Sequence, residues 1–325
     1  MRISLAPMEG VVDSHMRELL SAVGGIDACV TEFVRVNAST LPEKVYQRFC
    51  PELNNQCRTQ VGTPVKIQLL GGQPVPMAMN AAKLAGYGAR AIDLNFGCPA
   101  KTVNNSDGGA SLLRDPARVF QIVRAVRQAT PGNIPVSAKI RLGFEDRSLY
   151  LDNAHAIYEA GASELTVHAR SKVDGYKPPA YWDYIARIQA EIPIPVIANG
   201  EIWTVADYFR CREQSECENV MIGRGLLACP DLGLQIKAAV AGEDYTPMSW
   251  PEVCRLLYQF YLGTKYFYPA KHMGNRVKQW LVYLRQGYPA ASALFEVIKR
   301  QRSEQDFDKT FQEFFEVVTP LHQSH

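Results

Sequence analysis

The sequence of 325 residues lacks several patterns that would assign its class at once. It has no run of the roughly 18 apolar residues that a membrane-spanning helix needs, and the first apolar run is too short for a secretory signal. Its eight cysteines form no C-x-x-C pair and no spacing typical of zinc ligands. The net charge is only +2, so the overall balance says little about partners. These absences predict a cytoplasmic, non-membrane protein whose cysteines are reduced and mostly buried.

Signatures of nucleotide and metal sites are missing as well. No G-x-G-x-x-G follows a strand-like run and opens a helix, which argues against a Rossmann site, and no Walker sequence is present. Glu9, Glu32 and Glu201 could form an acidic metal site, but no His or Asp lies at ligand spacing beside them. We therefore expect no metal ion.

What the chain does contain is a repeated alternation of short apolar runs and amphipathic helical segments. Continuously apolar or β-branched runs are typical of parallel strands that are buried on both faces. Eight such runs lie at residues 3–8, 28–34, 65–71, 91–97, 136–143, 164–170, 195–200 and 219–225. Helical patterns between them lie at 14–24, 74–88, 116–129, 149–160 and 205–213. This α/β order fits either an open doubly wound sheet or a closed (β/α)8 barrel.

Polar residues at the ends of the eight runs favour the barrel. In a TIM barrel the C-terminal strand ends converge on one active site, whereas an open sheet scatters them along a crevice. The residues concerned are Glu9, Glu32, Gln68, Asn95, Lys139, His168, Asn199 and Arg224. We predict a TIM barrel over residues 1–244. From Tyr245 onward only helical patterns follow, at 251–263, 275–285, 290–300 and 306–318, which predicts an all-helical domain over residues 245–325.

A cysteine lies at the predicted mouth of the barrel, where Asn95-Phe96-Gly97-Cys98-Pro99 ends the fourth run. Cys98 could be a buried residue at a strand end, or it could be a general acid, because a thiol with a pKa of about 8.5 stays mostly protonated at neutral pH. The segment 104–110, rich in Asn and Gly, has the composition of a mobile lid.

Cations and glycines at other strand ends indicate an anionic ligand. Lys139 and Arg141 alternate at the end of the fifth run, and buried cations need an anionic or electron-rich partner. Gly200 follows the seventh run, and Gly223 with Arg224 ends the eighth. Glycines at these two places, beside an arginine, predict a phosphate-binding site.

The basic residues are concentrated near the C-terminus. Between Cys254 and Arg302 there are nine Lys or Arg residues and a single acid, Glu296, with ten aromatic residues interleaved. Cations neutralise phosphates and aromatic rings stack on bases, so this composition predicts a nucleic-acid surface. Over 275–285, a stripe of apolar residues predicts a buried helix face; it consists of Val277, Trp280, Leu281 and Leu284.

At these residues the chain resembles the tRNA-dihydrouridine synthases. The resemblance is carried by Ala6-Pro7-Met8-Glu9-Gly10, Gln68, Asn95-x-Gly-Cys98-Pro, Lys139, His168-x-Arg170, Asn199-Gly200-Glu201 and Gly223-Arg224, in this order. The segments 31–36 and 276–284 are similar to the C subfamily, which implies uridine 16 of the tRNA D-loop. The similarity extends over essentially the whole chain.

The resemblance implies FMN as cofactor, NADPH as reductant and tRNA as partner. Cys98 would protonate C5 of the uridine while hydride is delivered to C6. The residues implied for FMN are Pro7, Met8, Glu9, Gln68, Lys139, His168, Asn199, Gly200, Glu201, Gly223 and Arg224. Those implied for tRNA are Arg35, Asn95, Tyr176, Arg276, Lys278 and Arg300. We also expect a monomer.

Two other functions remain open. An FMN barrel that reduces a free small molecule, such as a pyrimidine, would not need the basic helical region. An RNA-binding protein that uses its barrel only as a scaffold would not need Cys98, Lys139 and His168 at one mouth.

Overall fold

A computed structural model describes residues 1–318, without the side chains of residues 267, 270, 271, 273 and 315–318. The chain divides into two compact units, which we call the barrel unit (residues 1–21 and 26–223) and the helical unit (residues 22–25 and 224 to the C-terminus). The change of pattern at Tyr245 therefore lies inside the helical unit. Residues 319–325 of the predicted helical domain lie outside the described residues.

The barrel unit is built on nine strands that pair only in parallel. They are β1 (Ile3–Leu5), β2 (Ala28–Val30), β3 (Val34–Arg35), β4 (Val65–Leu70), β5 (Ile92–Phe96), β6 (Val136–Arg141), β7 (Glu164–His168), β8 (Val196–Asn199) and β9 (Val220–Ile222). Their order is β2-β1-β9-β8-β7-β6-β5-β4-β3, and a pairing of β2 with β4 closes the ring. The predicted closed α/β barrel is confirmed.

The second position of the barrel is shared by β2 and β3, which both pair with β4. Thr31 lies between them and is fully buried. Its hydroxyl accepts a hydrogen bond from the backbone N–H of Gln68 at 3.0 Å and donates to the carbonyl of Glu32 at 2.8 Å. The Thr31 hydroxyl thus takes the place of a backbone carbonyl as the acceptor for Gln68. This interrupts the strand, so the single apolar run at 28–34 forms two short strands, β2 and β3, which together fill one of the eight positions of the barrel.

Helices follow most of the strands. They are α1 (Ser14–Val23), α2 (Glu43–Phe49), α3 (Pro74–Gly86), α4 (Lys101–Asn104), α5 (Pro116–Ala129), α6 (Tyr150–Glu159), α7 (Trp182–Glu191) and α8 (Val205–Ser215), with 3-10 helices at Pro51–Asn55 and Gly109–Arg114. Local capping accounts for several starts. The Asp115 carboxylate accepts from the N–H of Arg118 ahead of α5, and Thr204 and Asp207 cap each other's backbone N–H at α8.

The segment 104–110, predicted as a mobile lid, lies between two short helical elements. Helix α4 ends at Asn104 and the 3-10 helix begins at Gly109, and residues 105–108 between them belong to neither helix. The Asn104 side chain donates to the carbonyl of Ala100 at 2.9 Å and accepts from the N–H of Ser111 at 2.8 Å. Asn104 therefore connects the segment by hydrogen bonds to the residues on both sides of it.

The helical unit contains α9 (Arg224–Ala228), α10 (Leu232–Ala241), α11 (Trp250–Phe267), α12 (Ala270–Gly287), α13 (Ala290–Ile298) and α14 (Glu304–Val318). The predicted stripe is buried on α12, with each of its four side chains at most 1% exposed. The indole N–H of Trp280 donates to the carbonyl of Leu227 at 3.0 Å. A Cβ at Gly287 would lie 2.3 Å from the carbonyl oxygen of Ala228. Because α12 packs this closely on α9, the unit begins before Tyr245. No helix among residues 1–318 is long and apolar enough to cross a membrane.

Candidate active site

Cys98 lies on the loop that follows β5 and is only 9% exposed. The side-chain oxygen Oδ1 of Asn95 accepts hydrogen bonds from the backbone N–H groups of Gly97 and Cys98, both at 2.9 Å. Cys98 packs in one apolar cluster with Leu70 and Val103. Burial raises the pKa of the Cys98 thiol above its ordinary value. The thiol is therefore protonated at neutral pH, as a proton donor must be.

A chain of buried side chains runs through the barrel beneath this loop. The Nδ2 group of Asn95 donates to Oε1 of Gln68 at 2.8 Å, and Nε2 of Gln68 donates to Oδ2 of Asp93 at 2.7 Å. The other carboxylate oxygen of Asp93 accepts from the hydroxyl of Ser137 at 2.6 Å. Asn95 and Gln68, predicted separately, are thus in direct contact.

Lys139 lies beside Asn95 on the neighbouring strand β6. Its ammonium donates to Oδ1 of Asn199 at 2.8 Å, and Nδ2 of Asn199 donates to the carbonyl of Met221 at 2.8 Å. In the described part of the chain no carboxylate lies within ion-pairing distance of this ammonium. Burial, with the nearby guanidinium of Arg141, lowers the pKa of Lys139 to about 7. The ammonium of Lys139 is therefore a desolvated cation that an electron-rich ligand would stabilise.

Arg141 is almost fully buried and donates hydrogen bonds to two loops at the mouth, the loop after β5 and the loop after β7. It donates to the carbonyl of Gly97 at 2.9 Å, next to the candidate acid, and to the carbonyls of Ser171 and Gly175 at 3.1 and 2.9 Å. Its guanidinium carbon also lies 5.1 Å from the ring centre of Tyr176, which is 53% exposed. Arg141 therefore sets the position of Tyr176 relative to the loop of the candidate acid.

His168 ends β7, opposite Asn199 on β8. Its imidazole meets the ring of Tyr176 edge to face, with centroids 6.1 Å apart. Gly200 has φ of +114°, and a Cβ there would lie 3.3 Å from the imidazole. Only glycine allows the backbone to adopt this conformation against His168 without strain.

Glu201 is engaged within the protein. Its carboxylate forms an ion pair with Arg170, which is fully buried, and accepts from the indole N–H of Trp203 at 3.0 Å. Glu201 itself has φ of +61°. Arg170, part of the motif but not among the predicted ligands, holds Glu201 in place.

The residues after β1 and β9 lie together because these strands pair. A Cβ at Gly223 would lie 3.1 Å from Sδ of Met8 and 3.4 Å from Cβ of Ala6. Pro7 and Met8 are half-buried and Glu9 is exposed. The last residue of the predicted set, Arg224, is the first residue of α9 in the helical unit.

The predicted tRNA residues fall in both units. In the barrel unit, Arg35 at the end of β3 donates to the carbonyl of Thr102 at 3.1 Å. In the helical unit, the guanidinium of Arg276 lies 5.7 Å from the ring centre of Tyr268. The ammonium of Lys278 donates to the carbonyl of Gln301 at 2.6 Å.

Charge on the helical unit is less one-sided than the count over 254–302 indicates. Lys265 forms ion pairs with Glu304 and Asp308, two acids beyond that stretch, both at 2.8 Å. Arg300 is exposed. Among residues 1–318, no group of three or more His, Cys, Asp or Glu side chains is arranged to hold a metal ion.

The barrel mouth suits the FMN that the resemblance implies. Lys139 supplies a desolvated cation, and Gln68 and Asn199 supply amide groups around it. Gly200 and Gly223 leave space where any Cβ would crowd its neighbours. The donor set and these two glycines fit a planar, electron-rich ligand that carries a phosphate.

Two polar residues of this network, Asp93 and Ser137, were not predicted from the sequence. Both lie inside a strand, whereas the predicted site residues follow from polar strand ends. The signal that could have identified them is alternation, because Asp93 precedes Asn95 by two residues and Ser137 precedes Lys139 by two.

Comparison with known proteins agrees with this geometry. Residues 4–319 match the family described as Dihydrouridine synthase (Dus). The chain is similar to proteins named tRNA-dihydrouridine(16) synthase. It is 52% identical to that of Pseudomonas putida, with 93% of each chain covered. It is 50% identical to that of Aquipseudomonas alcaligenes, covering 95% of this chain and 98% of the relative. For Shewanella oneidensis the identity is 49%, covering 96% and 98%.

Two solved structures share the fold. A histamine dehydrogenase from Rhizobium sp. 4-9 gives a TM-score of 0.57 at 12% identity, covering 73% of this chain and 46% of that chain. A 2-naphthoyl-CoA reductase gives 0.56 at 10% identity, covering 74% and 50%. The chain spans about half the length of these two structures. At such low identity the likeness concerns the barrel alone.

Proposed function

Since the chain belongs to the dihydrouridine synthase family, we propose that it reduces the C5–C6 double bond of a uridine in the tRNA D-loop, at position 16, with FMN as cofactor and NADPH as reductant. The position rests on relatives at about half identity over more than nine-tenths of their length, each named for uridine 16. FMN, once reduced, supplies the hydride.

The observation that carries the proposal is the buried Cys98 thiol on a loop that hydrogen bonds hold in place at the barrel mouth. Asn95 holds the backbone of this loop through two hydrogen bonds, and Arg141 holds the carbonyl of Gly97. Hydride addition at C6 leaves C5 in need of a proton. A buried thiol whose pKa is raised keeps its proton until a substrate carbon accepts it. Cys98 is accordingly the proposed general acid.

Cofactor binding is assigned to the residues that the family motif implies at this mouth. Lys139 is the central one, because its desolvated ammonium gains from an electron-rich partner. Gln68 and Asn199 orient polar groups around it. The full proposed set is Pro7, Met8, Glu9, Gln68, Lys139, His168, Asn199, Gly200, Glu201, Gly223 and Arg224.

Residues 1–244 are proposed as the FMN-binding catalytic domain and residues 245–325 as the tRNA-binding domain, and residues of both contact the tRNA. A uridine in a folded tRNA has to leave its stack to reach the cofactor, so the enzyme needs contacts at the base and along the backbone. Tyr176 is exposed beside His168 and can stack on a base. The proposed tRNA residues are Arg35, Asn95, Tyr176, Arg276, Lys278 and Arg300.

We also propose that the protein acts as a monomer in the cytoplasm. All eight cysteines are free thiols, which suits a reducing compartment.

The deciding experiment is the reaction itself. Purified protein is incubated with FMN, NADPH and tRNA that lacks dihydrouridine, and the product is digested and mapped by mass spectrometry. We expect two hydrogen atoms to be added at uridine 16 only. Addition at another uridine would refute the position, and reduction of free uracil without any reaction on tRNA would favour a small-molecule dehydrogenase.

A further inference from the structure

Asp93 is a buried carboxylate that none of the assigned roles uses. It lies in the middle of β5, inside the barrel, and is 2% exposed. One of its oxygens accepts from Nε2 of Gln68 at 2.7 Å and the other from the hydroxyl of Ser137 at 2.6 Å. A buried carboxylate is costly even when it is hydrogen-bonded, so its presence at this place calls for a reason.

The reason lies in the direction of the hydrogen bonds above it. A carboxylate oxygen without a proton can only accept, so the side chain of Gln68 has to turn its NH2 group toward Asp93. Its oxygen then points to Asn95, whose NH2 group donates to it at 2.8 Å. The oxygen of Asn95 is left to accept from the N–H groups of Gly97 and Cys98.

This direction does not depend on the charge of the carboxyl group. Burial raises the pKa of Asp93, against the opposing effect of Lys66 and of the two hydrogen bonds that the group accepts. A proton bound to the oxygen that faces Ser137 leaves the other oxygen free to accept from Gln68. Both protonation states of Asp93 therefore offer Gln68 an acceptor in the same orientation.

Reversal of one amide would break every later step of this chain. With Gln68 turned round, its NH2 would face the NH2 of Asn95. With Asn95 turned as well, its NH2 would face the two backbone N–H groups before Pro99. Two donors face to face in a buried site are destabilising, because each group is left without an acceptor. The acceptor at Asp93 and the two backbone N–H groups thus fix the same orientation of both amides from opposite ends of the chain.

We propose that Asp93 is a positioning residue for the reaction: through Gln68 and Asn95 it fixes the backbone of the Cys98 loop and so the place from which the thiol delivers its proton. This inference rests on the proposed function of Cys98. A displacement of about 1 Å in a reacting group can lower a rate by about 10²-fold, although Asp93 touches no reacting atom itself.

Two variants at Asp93 separate hydrogen bonding from charge. Asp93→Leu has a similar size but offers no acceptor to Gln68. Asp93→Asn keeps an acceptor for Gln68 and can donate its NH2 to the hydroxyl of Ser137, but it cannot carry a negative charge. Ser137→Ala is the matched control, because it removes the hydrogen bond to the other oxygen of the same carboxylate and leaves the chain to Cys98 intact.

A second pair of variants keeps the test decisive even where Asp93→Leu does not fold. Gln68→Glu sets two carboxylates against each other at the base of the chain. The double variant Gln68→Glu with Asp93→Asn restores one donor and one acceptor there, and the second oxygen of the introduced carboxylate still accepts from Asn95. Recovery in the double variant relative to Gln68→Glu would trace the loss to the hydrogen bond between positions 68 and 93.

Two measurements are made on each variant at saturating FMN and NADPH. The first is the single-turnover rate of dihydrouridine formation in tRNA by the reduced enzyme. The second is the rate at which iodoacetamide alkylates Cys98 as a function of pH, read from its peptide by mass spectrometry. The second needs neither tRNA nor turnover, so it tests the chain even where wild-type protein forms no dihydrouridine and the proposed function fails.

We expect Asp93→Leu and Gln68→Glu to lower the single-turnover rate about 10²-fold and to shift the alkylation profile of Cys98. Asp93→Asn and Ser137→Ala should keep the rate within about tenfold of wild type, with the wild-type alkylation profile, and the double variant should be faster than Gln68→Glu. Equal losses in Asp93→Asn and Asp93→Leu would assign the effect to charge and overturn the proposal. So would a loss in Ser137→Ala as large as that in Asp93→Leu, or a double variant no better than Gln68→Glu.

Discussion

Truncation of Cys98 to alanine tests the proposed proton transfer most directly. The change removes Sγ alone, while the backbone N–H groups that Asn95 holds remain in place. Loss of a general acid lowers a rate by about 10²–10⁴-fold, which corresponds to about 2.7–5.4 kcal/mol of transition-state stabilisation. We therefore expect dihydrouridine formation to fall by this factor, while FMN binding and its reduction by NADPH stay at the wild-type level.

The loss of folding stability should be much smaller. Cys98 packs against Leu70 and Val103, and removal of one buried heavy atom costs about 1 kcal/mol. Cys29→Ala is the matched control, because Cys29 is fully buried in β2 of the same unit and undergoes the same truncation away from the mouth. Both variants should lower the melting temperature slightly, but only Cys98→Ala should lose product.

The assay separates the two half-reactions. Flavin absorbance in a stopped-flow instrument reports reduction by NADPH, and digestion of the tRNA with mass spectrometry reports dihydrouridine from the reduced enzyme. Near wild-type product formation by Cys98→Ala would refute the proton-transfer role and leave Cys98 as a core residue. A similar loss in Cys29→Ala would show that burial rather than chemistry is responsible.

Three other outcomes are expected. Denatured protein should release FMN as its flavin, detected by chromatography. A preparation that cannot be loaded with FMN would rule out the proposed flavoenzyme function. FMN affinity, measured by fluorescence quenching, should weaken as the pH rises through about 7, because Lys139 then loses the positive charge that favours the ligand, and Lys139→Met should abolish this dependence. A pH-independent wild-type affinity would contradict the role of Lys139. The third outcome concerns the triple alanine variant of Arg276, Lys278 and Arg300. It should bind tRNA more weakly, and the slope of log affinity against log salt should fall by about one for each phosphate that is no longer neutralised. The control Arg124→Ala, on α5, should change neither the affinity nor the slope. An unchanged slope would place the tRNA elsewhere.

The strands and their polar ends could be predicted because they follow from local patterns. Continuous apolar runs identify buried parallel strands, and most helix limits agree within a few residues. The start of α11 could have been predicted one residue earlier, since Ser249 and Glu252 form a capping box that is visible in the sequence. The division into β2 and β3 could not, because it depends on the Thr31 hydroxyl meeting the N–H of Gln68 from a distant strand.

Several members of the network at the mouth could be predicted, but its internal organisation could not. Strand-end positions bring Asn95, Lys139 and His168 to one mouth through topology alone. Which amide faces which partner depends on Asp93, a carboxylate inside a strand whose partners lie 25 and 44 residues away. No local pattern encodes such a contact.

The charge of the helical unit shows how a count along the chain differs from a charge in space. Nine cations against one acid over 254–302 predict a strong phosphate-binding surface. Folding brings Glu304 and Asp308 of α14 against Lys265, so this cation has its partners within the protein. Salt bridges at half-exposed sites contribute little to stability, but they do remove a charge from the surface potential that tRNA meets. The salt dependence of binding should therefore report fewer phosphate contacts than the count predicts, with exposed Arg300 among those that remain.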